Sequence, residues 1–245
     1  GTAIYMHTVF IPVTLKAIIE EQGREFLGRN ISYTQLRYSL SRGITLEGLK
    51  IQQKENPQEA LLSVAEVKFN VLLLPLLKSR TVIIPALTLT APEAALIRNT
   101  ENIWNIQDLL QPKKSSGTSM QVILTRVIVK EGVLKVTDET SKAAPLHLTS
   151  INTDLSLSLP QSIDFKFAAG IKDSAASLTA EGSYRLNKKS LILTAGVTSL
   201  DCVPSILPFL GQTSRFELLT VHAAQVKAEW EPSQWFVQGD ARADI

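Results

Sequence analysis

The sequence predicts a mainly β fold: a long curved antiparallel sheet, or repeating β-groove, with an N-terminal amphipathic helix and short connecting helices. Segments in which apolar and polar residues alternate recur from residue 30 to the end of the 245-residue chain, as expected for strands with one apolar face. Most links between them are short, which favours antiparallel neighbours. One segment alone has the periodicity of a long helix.

That helix is predicted over residues 12–28. Pro12 suits a first helical turn, apolar residues recur at helical spacing from Leu15 to Phe26, and Gly28 is a stop signal. Because one side is apolar and the other charged, we expect the helix to lie on an apolar surface.

The first group of strands follows the helix and ends before a polar stretch. Pro85 predicts an edge, a bulge or a break in pairing, and Trp104 is predicted on the return strand of a hairpin that turns at NTEN. The predicted segments are 30–38, 44–51, 61–73, 81–92 and the hairpin 94–110.

Residues 111–120, QPKKSSGTSM, predict a flexible linker loop. The chain is therefore divided into a helix with a β-meander at 1–110, the linker at 111–120, and a continuation of the same sheet at 121–245.

A repeated unit crosses this division. Residues 47–51 read EGLKI and residues 131–136 read EGVLKV, and each is followed by a polar turn and a long alternating strand that ends at Pro75 or Pro160. A unit that cannot bury its own apolar face stacks on its neighbours. We interpret the similarity of the two segments as a repeated sheet module, in which the Glu–Gly pair forms a turn or a β-bulge.

Composition excludes several classes of function. A net charge of +2 and 6% aromatic residues argue against nucleic-acid binding. The single cysteine, Cys202, excludes an internal disulfide framework. The sequence contains no recognisable catalytic, phosphate-binding or metal-binding motif, so we expect no enzyme activity, no cofactor and no metal. No segment of the chain is long and apolar enough to span a bilayer.

The apolar faces of the strands are the candidate site. A closed β-sandwich would bury them, and such a module would bind protein partners through its sheet edges in assembly or adhesion. An open trough would instead offer them to the acyl chains of a lipid, which need contact area and no hydrogen bonds. The predicted groove residues are Val67, Phe69, Val71, Leu73, Ile83, Leu87, Leu89, Leu155, Leu157, Leu159, Ile163, Phe165, Phe167, Leu191 and Leu193.

Residues 10–110 carry motifs of a known family. A strand beginning GR-x-I, a segment LLPLL-x-S-R and a turn leading to W-N follow one another in a fixed order. The matching residues are Gly28, Arg29, Ile31, Leu36, Tyr38, Gly43, Ile44, Leu46, Gly48, Leu49, Ile51, Leu73, Leu74, Pro75, Leu76, Leu77, Ser79, Arg80, Pro92, Arg98, Asn99, Trp104 and Asn105. In these residues the chain resembles the AsmA-like proteins, which include the TamB type of bridge-like lipid-transfer protein.

The resemblance implies a function. Proteins of this family are anchored in the inner membrane of Gram-negative bacteria by an N-terminal helix and project into the periplasm, where a β-groove carries phospholipids toward the outer membrane. We therefore expect a non-enzymatic lipid-transfer module that supports outer-membrane biogenesis. Its expected partners are phospholipid or another acyl-chain lipid, the inner membrane through a spanning helix before Gly1, and envelope proteins.

Overall fold

The computed structural model describes residues 27–39, 43–54, 56–72, 75, 81–109, 121–140, 145–158, 160–201, 220–231 and 234–244. The predicted helix at 12–28 lies outside these residues except for its last two positions, and the predicted linker at 111–120 lies outside them entirely. Within the described ranges, the connecting helices are represented by a 3-10 turn at Gln107–Leu109.

Fourteen strands form the described fold, and most of them are eight residues or longer. They are β1 Ile31–Ser32, β2 Gln35–Ser39, β3 Gly43–Gln52, β4 Ala60–Phe69, β5 Thr81–Ile84, β6 Leu87–Arg98, β7 Gln121–Leu124, β8 Arg126–Asp138, β9 Leu146–Ser158, β10 Ser162–Ile171, β11 Ser177–Arg185, β12 Ser190–Asp201, β13 Thr220–Glu231 and β14 Gln234–Asp244.

Twelve of these strands form one open sheet in the order β1-β3-β4-β6-β8-β9-β10-β11-β12-β13-β14, and β2 pairs with β3 beside β1. The prediction of a mainly β fold with one long sheet is confirmed. One pairing differs from the predicted antiparallel meander, because β6 and β8 run parallel. A parallel neighbour needs a crossover connection of a dozen residues or more, and the chain has that length between Arg98 and Arg126.

A second, two-stranded sheet accounts for Pro85. Strands β5 and β7 pair in parallel, and each continues into a strand of the large sheet after a short break. At the break, Thr125 donates from its backbone N to Ile84 O at 3.1 Å and from Oγ1 to Pro85 O at 2.6 Å. The predicted interruption at Pro85 is therefore present, and it moves the chain from one sheet to the other.

The predicted hairpin at 94–110 has its turn at NTEN and returns antiparallel at Trp104, but the return is too short to be a strand. The return of the chain after Arg98 makes a single bridge, Arg98 to Trp104, and then turns. The pairing of β6 with β4 stops at Ala94, opposite Leu62 near the start of β4. Beyond Ala94, Asn105 bonds to β6 with its side chain, accepting from Ile97 N at 3.1 Å and donating to Ala95 O at 2.9 Å.

The fully buried residues are concentrated at the β3–β4 end of the sheet. Ile44 and Val64 are each 1% exposed, and a cluster of Leu46, Val64 and Val67 is surrounded by partly buried residues of β2, β4 and β6. Elsewhere, extensive contacts between described strands join only hydrogen-bonded neighbours. Among the residues that the structure describes, no second layer is packed across the sheet.

Candidate functional site: an apolar face that crosses the sheet

Strand register places the apolar residues in rows that cross the sheet. In one row, each residue is the direct partner of the next through ten consecutive strands, and every member is apolar or glycine. The first row is Ile44, Phe69, Leu87, Val127, Leu155, Phe165, Gly182, Leu193, Ala228 and Val237. Directly opposed residues project to the same face, so this row is a continuous apolar line.

Two further rows run beside the first on the same face, two residues away along each strand. The second row is Leu46, Val67, Leu89, Val129, Thr153, Phe167, Ala180, Ala195, Val226 and Gly239. The third row covers β9 to β13 and comprises Leu157, Ile163, Tyr184, Leu191 and Trp230. Together these three rows define the apolar face.

The apolar face changes from closed to open along the sheet. Ile44 and Val67, at the β3–β4 end, are 1% and 3% exposed. Val127, Leu155, Phe165 and Leu193, further along the first row, are only half-buried. Half-buried aliphatic and aromatic side chains in an unbroken row leave apolar area accessible among the described residues, and this area suits an apolar ligand.

The opposite face is polar and carries ion pairs. Arg126 contacts Asp154 through two hydrogen bonds of 2.8 and 2.5 Å, and Lys166 lies 3.8 Å from Glu181. The hydrogen bond from Arg126, more than its charge, holds the pKa of Asp154 below its usual range against the opposing effect of burial, and the same contact raises the pKa of Arg126. This face is solvated and charge-balanced.

Two concavities lie on this polar face. The larger, of about 990 Å³, is lined mainly by side chains such as Thr179, Thr194 and Gln225, and the smaller, of about 410 Å³, by Asp154, Ser183 and their neighbours. Of the predicted groove residues, only Phe165 and Phe167 border them. Gly182 and Ala180 of the apolar rows also border them, but most of the lining residues, such as Lys166, Glu181 and Thr194, belong to the opposite face.

Most predicted groove residues converge on the apolar face. Its rows include Val67, Phe69, Leu87, Leu89, Leu155, Leu157, Ile163, Phe165, Phe167, Leu191 and Leu193. Ile83 belongs to β5 in the two-stranded sheet and is not part of the rows. Val71 lies after the end of β4, in a segment where Leu72 N donates to Ile83 O at 2.9 Å. Leu73 and Leu159 lie outside the described residues.

Several members of the rows were not predicted. Val127 and Val129 alternate within VILTRVIVK and could have been identified from that alternation alone. Gly182, Tyr184, Ala228 and Trp230 required the register, because small or amphipathic residues do not mark an apolar face by themselves. Gly182 belongs there because a Cβ at this position would meet Phe165 Cζ at 2.8 Å, so the Phe165 ring covers the glycine.

A line of left-handed residues crosses the face at one level, and we call it the phase-shift line. It comprises Gly48 in β3, Ala91 in β6, Glu131 in β8 and Ser150 in β9, with φ of 63°, 46°, 53° and 49°. On the two sides of this line, the alternation of apolar and polar residues along a strand is shifted by one residue. Val64 and Val67 in β4, three residues apart, both belong to the same core cluster, and so the apolar face continues on both sides of the line.

The residues of the GR and W-N motifs form a structural junction. Arg29, whose side chain is 1% exposed, donates from Nη2 to Asn105 O and to Asp108 Oδ1, both at 2.6 Å. Burial raises the pKa of Asp108, but the hydrogen bond and charge of Arg29, with the charge of Lys54, outweigh it and lower this pKa. The junction ties the start of β1 to the turn that follows β6.

No group of three or more His, Cys, Asp or Glu side chains that could hold a metal ion occurs among the described residues. Among the same residues, no helix has the length and apolarity needed to cross a membrane.

Comparison with known proteins agrees with the motifs. The model of the AsmA family matches residues 3–202, which is most of the chain. No curated protein and no solved structure matches the chain significantly. The family predicted from the GR, LLPLL and W-N motifs is confirmed.

Proposed function

The chain belongs to the AsmA family, and from this premise we propose that its apolar face binds the acyl chains of phospholipids and passes them along the sheet. The module acts without catalysis. In the envelope of a Gram-negative bacterium it would carry lipid between the inner and outer membranes, anchored to the inner membrane, and so support outer-membrane biogenesis.

The first row of the apolar face carries the proposal. It is apolar in all ten strands from Ile44 to Val237. With neighbouring strands about 4.8 Å apart, it provides roughly 45 Å of continuous path. A ligand that slides along such a row exchanges one set of aliphatic contacts for another, because hydrophobic contact is non-directional.

The energy of hydrophobic contact suits an acyl chain that binds to the apolar face and then moves along it. Each buried methylene contributes about 0.8 kcal/mol, so a chain held over several half-buried rows is retained without any polar anchor. Since no hydrogen bond has to break for the chain to advance, passage requires no chemical step. This supports a non-enzymatic role.

The alternative of a closed β-sandwich assembly or adhesion module has less support. Such a module buries one sheet against another, and extensive contacts between described strands join only neighbours in the sheet. Envelope proteins could still contact the polar face or the sheet edges while lipid occupies the apolar face.

A pair of variants on one strand tests the proposal. Leu157→Asp places a charge on the apolar face, whereas Ser156→Asp places the same charge on the opposite face, beside its strand partner Arg126. We expect native mass spectrometry of the gently extracted protein to detect bound phospholipid in the wild type and in Ser156→Asp, and at least a tenfold reduction in Leu157→Asp. Circular dichroism should show the same β content in all three proteins.

The opposite result is equally informative. If lipid remains bound to Leu157→Asp at the wild-type level, or if no lipid is found on the wild type after extraction from membranes, the apolar face does not bind acyl chains.

A further inference from the structure

One rim of the apolar face combines stacked aromatic rings with a basic turn. The rings of Tyr184 and Trp230 lie with their centroids 6.4 Å apart at an interplanar angle of 16°. The turn that follows β11 reads Leu186-Asn187-Lys188-Lys189, and its two lysines are exposed. We call these two features together the aromatic–basic rim.

The two rings meet above the strand that separates them. Tyr184 pairs with Leu191 in β12, and Leu191 pairs with Trp230 in β13. Strand β12 separates the two residues, so their backbones lie roughly 9.6 Å apart. Because the ring centroids are only 6.4 Å apart, the two rings lean toward each other over Leu191. They form the last row of the apolar face before the hairpin ends begin.

Tyrosine and tryptophan have the chemistry of a boundary between lipid and water. Each has an apolar ring body and one polar group, and both residues are enriched where the acyl region of a membrane meets the headgroups. Both rings are half-buried, so part of each ring is exposed as apolar surface beside the rows.

Charge distinguishes this rim from the opposite one. Residues 185–190 carry Arg185, Lys188 and Lys189 without an acidic residue. At the other ends of the strands, the β10–β11 turn has Lys172 beside Asp173, whose charges cancel. An anion at the edge of the apolar face is therefore favoured on one side.

We propose that the aromatic–basic rim binds the phosphate-bearing headgroup of an anionic phospholipid whose acyl chains lie on the apolar face. The inference rests on the proposed function, since it takes the chains to occupy the rows that end at this rim. Tyr184 and Trp230 contact the ester region at the head of the chains, and Lys188 and Lys189 contact the headgroup phosphate. Because these lysines repel the ammonium group of a zwitterionic headgroup, whereas an anionic headgroup has no such group, the rim selects anionic over zwitterionic lipid.

Charge reversal at the turn provides the test. The double variant Lys188→Glu/Lys189→Glu is compared with Lys172→Glu, an exposed lysine in the turn at the opposite ends of the strands. Binding is measured with phosphatidylglycerol and with phosphatidylethanolamine of identical acyl chains, each delivered from mixed micelles. Near a lipid surface the two lysines together contribute roughly thirtyfold to the affinity, so we expect reversal of both charges to weaken binding at least about thirtyfold.

We expect that loss for phosphatidylglycerol only, with phosphatidylethanolamine changed less than twofold and Lys172→Glu behaving as wild type. The inference fails if the double variant binds both lipids as the wild type does, or weakens both equally. It also fails if soluble glycerol phosphate, which lacks acyl chains, displaces phosphatidylglycerol efficiently, because the turn would then be a site for free anions.

Fluorescence gives an independent measurement of position. In the variant Trp104→Phe/Trp235→Phe, which leaves Trp230 as the single tryptophan, phospholipids brominated near the ester end of the chain should quench the emission more than those brominated near the terminal methyl. The reverse order of quenching would place the headgroup elsewhere. These outcomes are separate from the failure of the proposed function, in which neither lipid binds the wild type at all.

Discussion

At the scale of single residues, the two Glu–Gly pairs show how similar sequence produces different geometry. In EGLKI the glycine itself, Gly48, takes the left-handed conformation with φ 63°. In EGVLKV the glutamate does so, since Glu131 has φ 53° and is level with Gly48 across the sheet. Gly132 instead makes room, because a Cβ there would meet Val129 and Ile151 at 3.1 and 3.2 Å.

This difference predicts opposite responses to substitution. In Gly48→Ala the new Cβ has a positive φ and collides with Thr34 Oγ1. We expect it to lower the free energy of unfolding by about 1–3 kcal/mol. Glu131→Gly removes the strain of a non-glycine residue at positive φ, so we expect it to leave stability unchanged or raise it by up to about 1 kcal/mol.

Urea denaturation of both variants would measure these changes. A loss of stability in Glu131→Gly comparable to that in Gly48→Ala would show that the positive φ of Glu131 in the phase-shift line is not a source of strain.

At the scale of elements, the ends of β6 and β8 are joined by charge as well as by their parallel pairing. Asp138 is 8% exposed, accepts hydrogen bonds from Thr140 N at 2.9 Å and Thr140 Oγ1 at 2.6 Å, and receives Arg98 Nη1 at 3.3 Å. The hydrogen bond from the Thr140 side chain is the largest cause that lowers the pKa of Asp138, and the charge of Arg98 adds to it.

A lowered pKa in the folded state predicts acid sensitivity. The contribution of Asp138 to stability is complete above the ordinary aspartate pKa of about 3.9 and is lost as the pH falls through the lowered folded value. We expect Asp138→Asn to lower the free energy of unfolding by about 1–2 kcal/mol at pH 7 and by much less near pH 2.

Denaturation curves at both pH values, with Asp173→Asn in an exposed turn as the control, would test this. An equal loss at pH 7 and pH 2 would mean that the effect of the substitution is steric and unrelated to the charge.

How far the sequence predicts these elements depends on which property a pattern reports. Alternation identified nearly every described strand and the apolar residues of β4, β9, β10 and β12, because period two reports the side-chain face directly. It could not identify strand partners, so Ile83 was grouped with Leu87 although β5 and β6 belong to different sheets. The phase change between Val64 and Val67 interrupts period two and conceals the continuity of the face.

At the scale of the whole molecule, stability is expected to decrease along the sheet. Fully buried side chains such as Ile44, Val64 and Val67 lie in β3 and β4, whereas Val226 and Val237 in β13 and β14 are 38% and 65% exposed. Regions with few buried apolar contacts open with smaller free energies. The proposed lipid path therefore lies mainly over the less stable strands.

Hydrogen exchange measured by mass spectrometry would reveal the gradient. We expect amides of β3 and β4 to be protected at least tenfold longer than those of β13 and β14, and bound lipid to reduce the difference by slowing exchange in the later strands. Uniform protection across the sheet would indicate a single cooperative unit and contradict the gradient.

The phase-shift line also sets a rule for how such a sheet can vary in length. Between that line and the hairpin ends, each additional row of side chains requires two more residues in every strand, which lengthens the strands by about 6.7 Å. Two residues added to each strand of a hairpin lengthen the strands and keep every side chain on its face. A single residue added within one strand moves the side chains that follow it to the opposite face, so that polar residues replace apolar ones on the apolar face. The height of the apolar face therefore changes in steps of two residues, except where a left-handed residue absorbs a single one, while its length grows by whole hairpins.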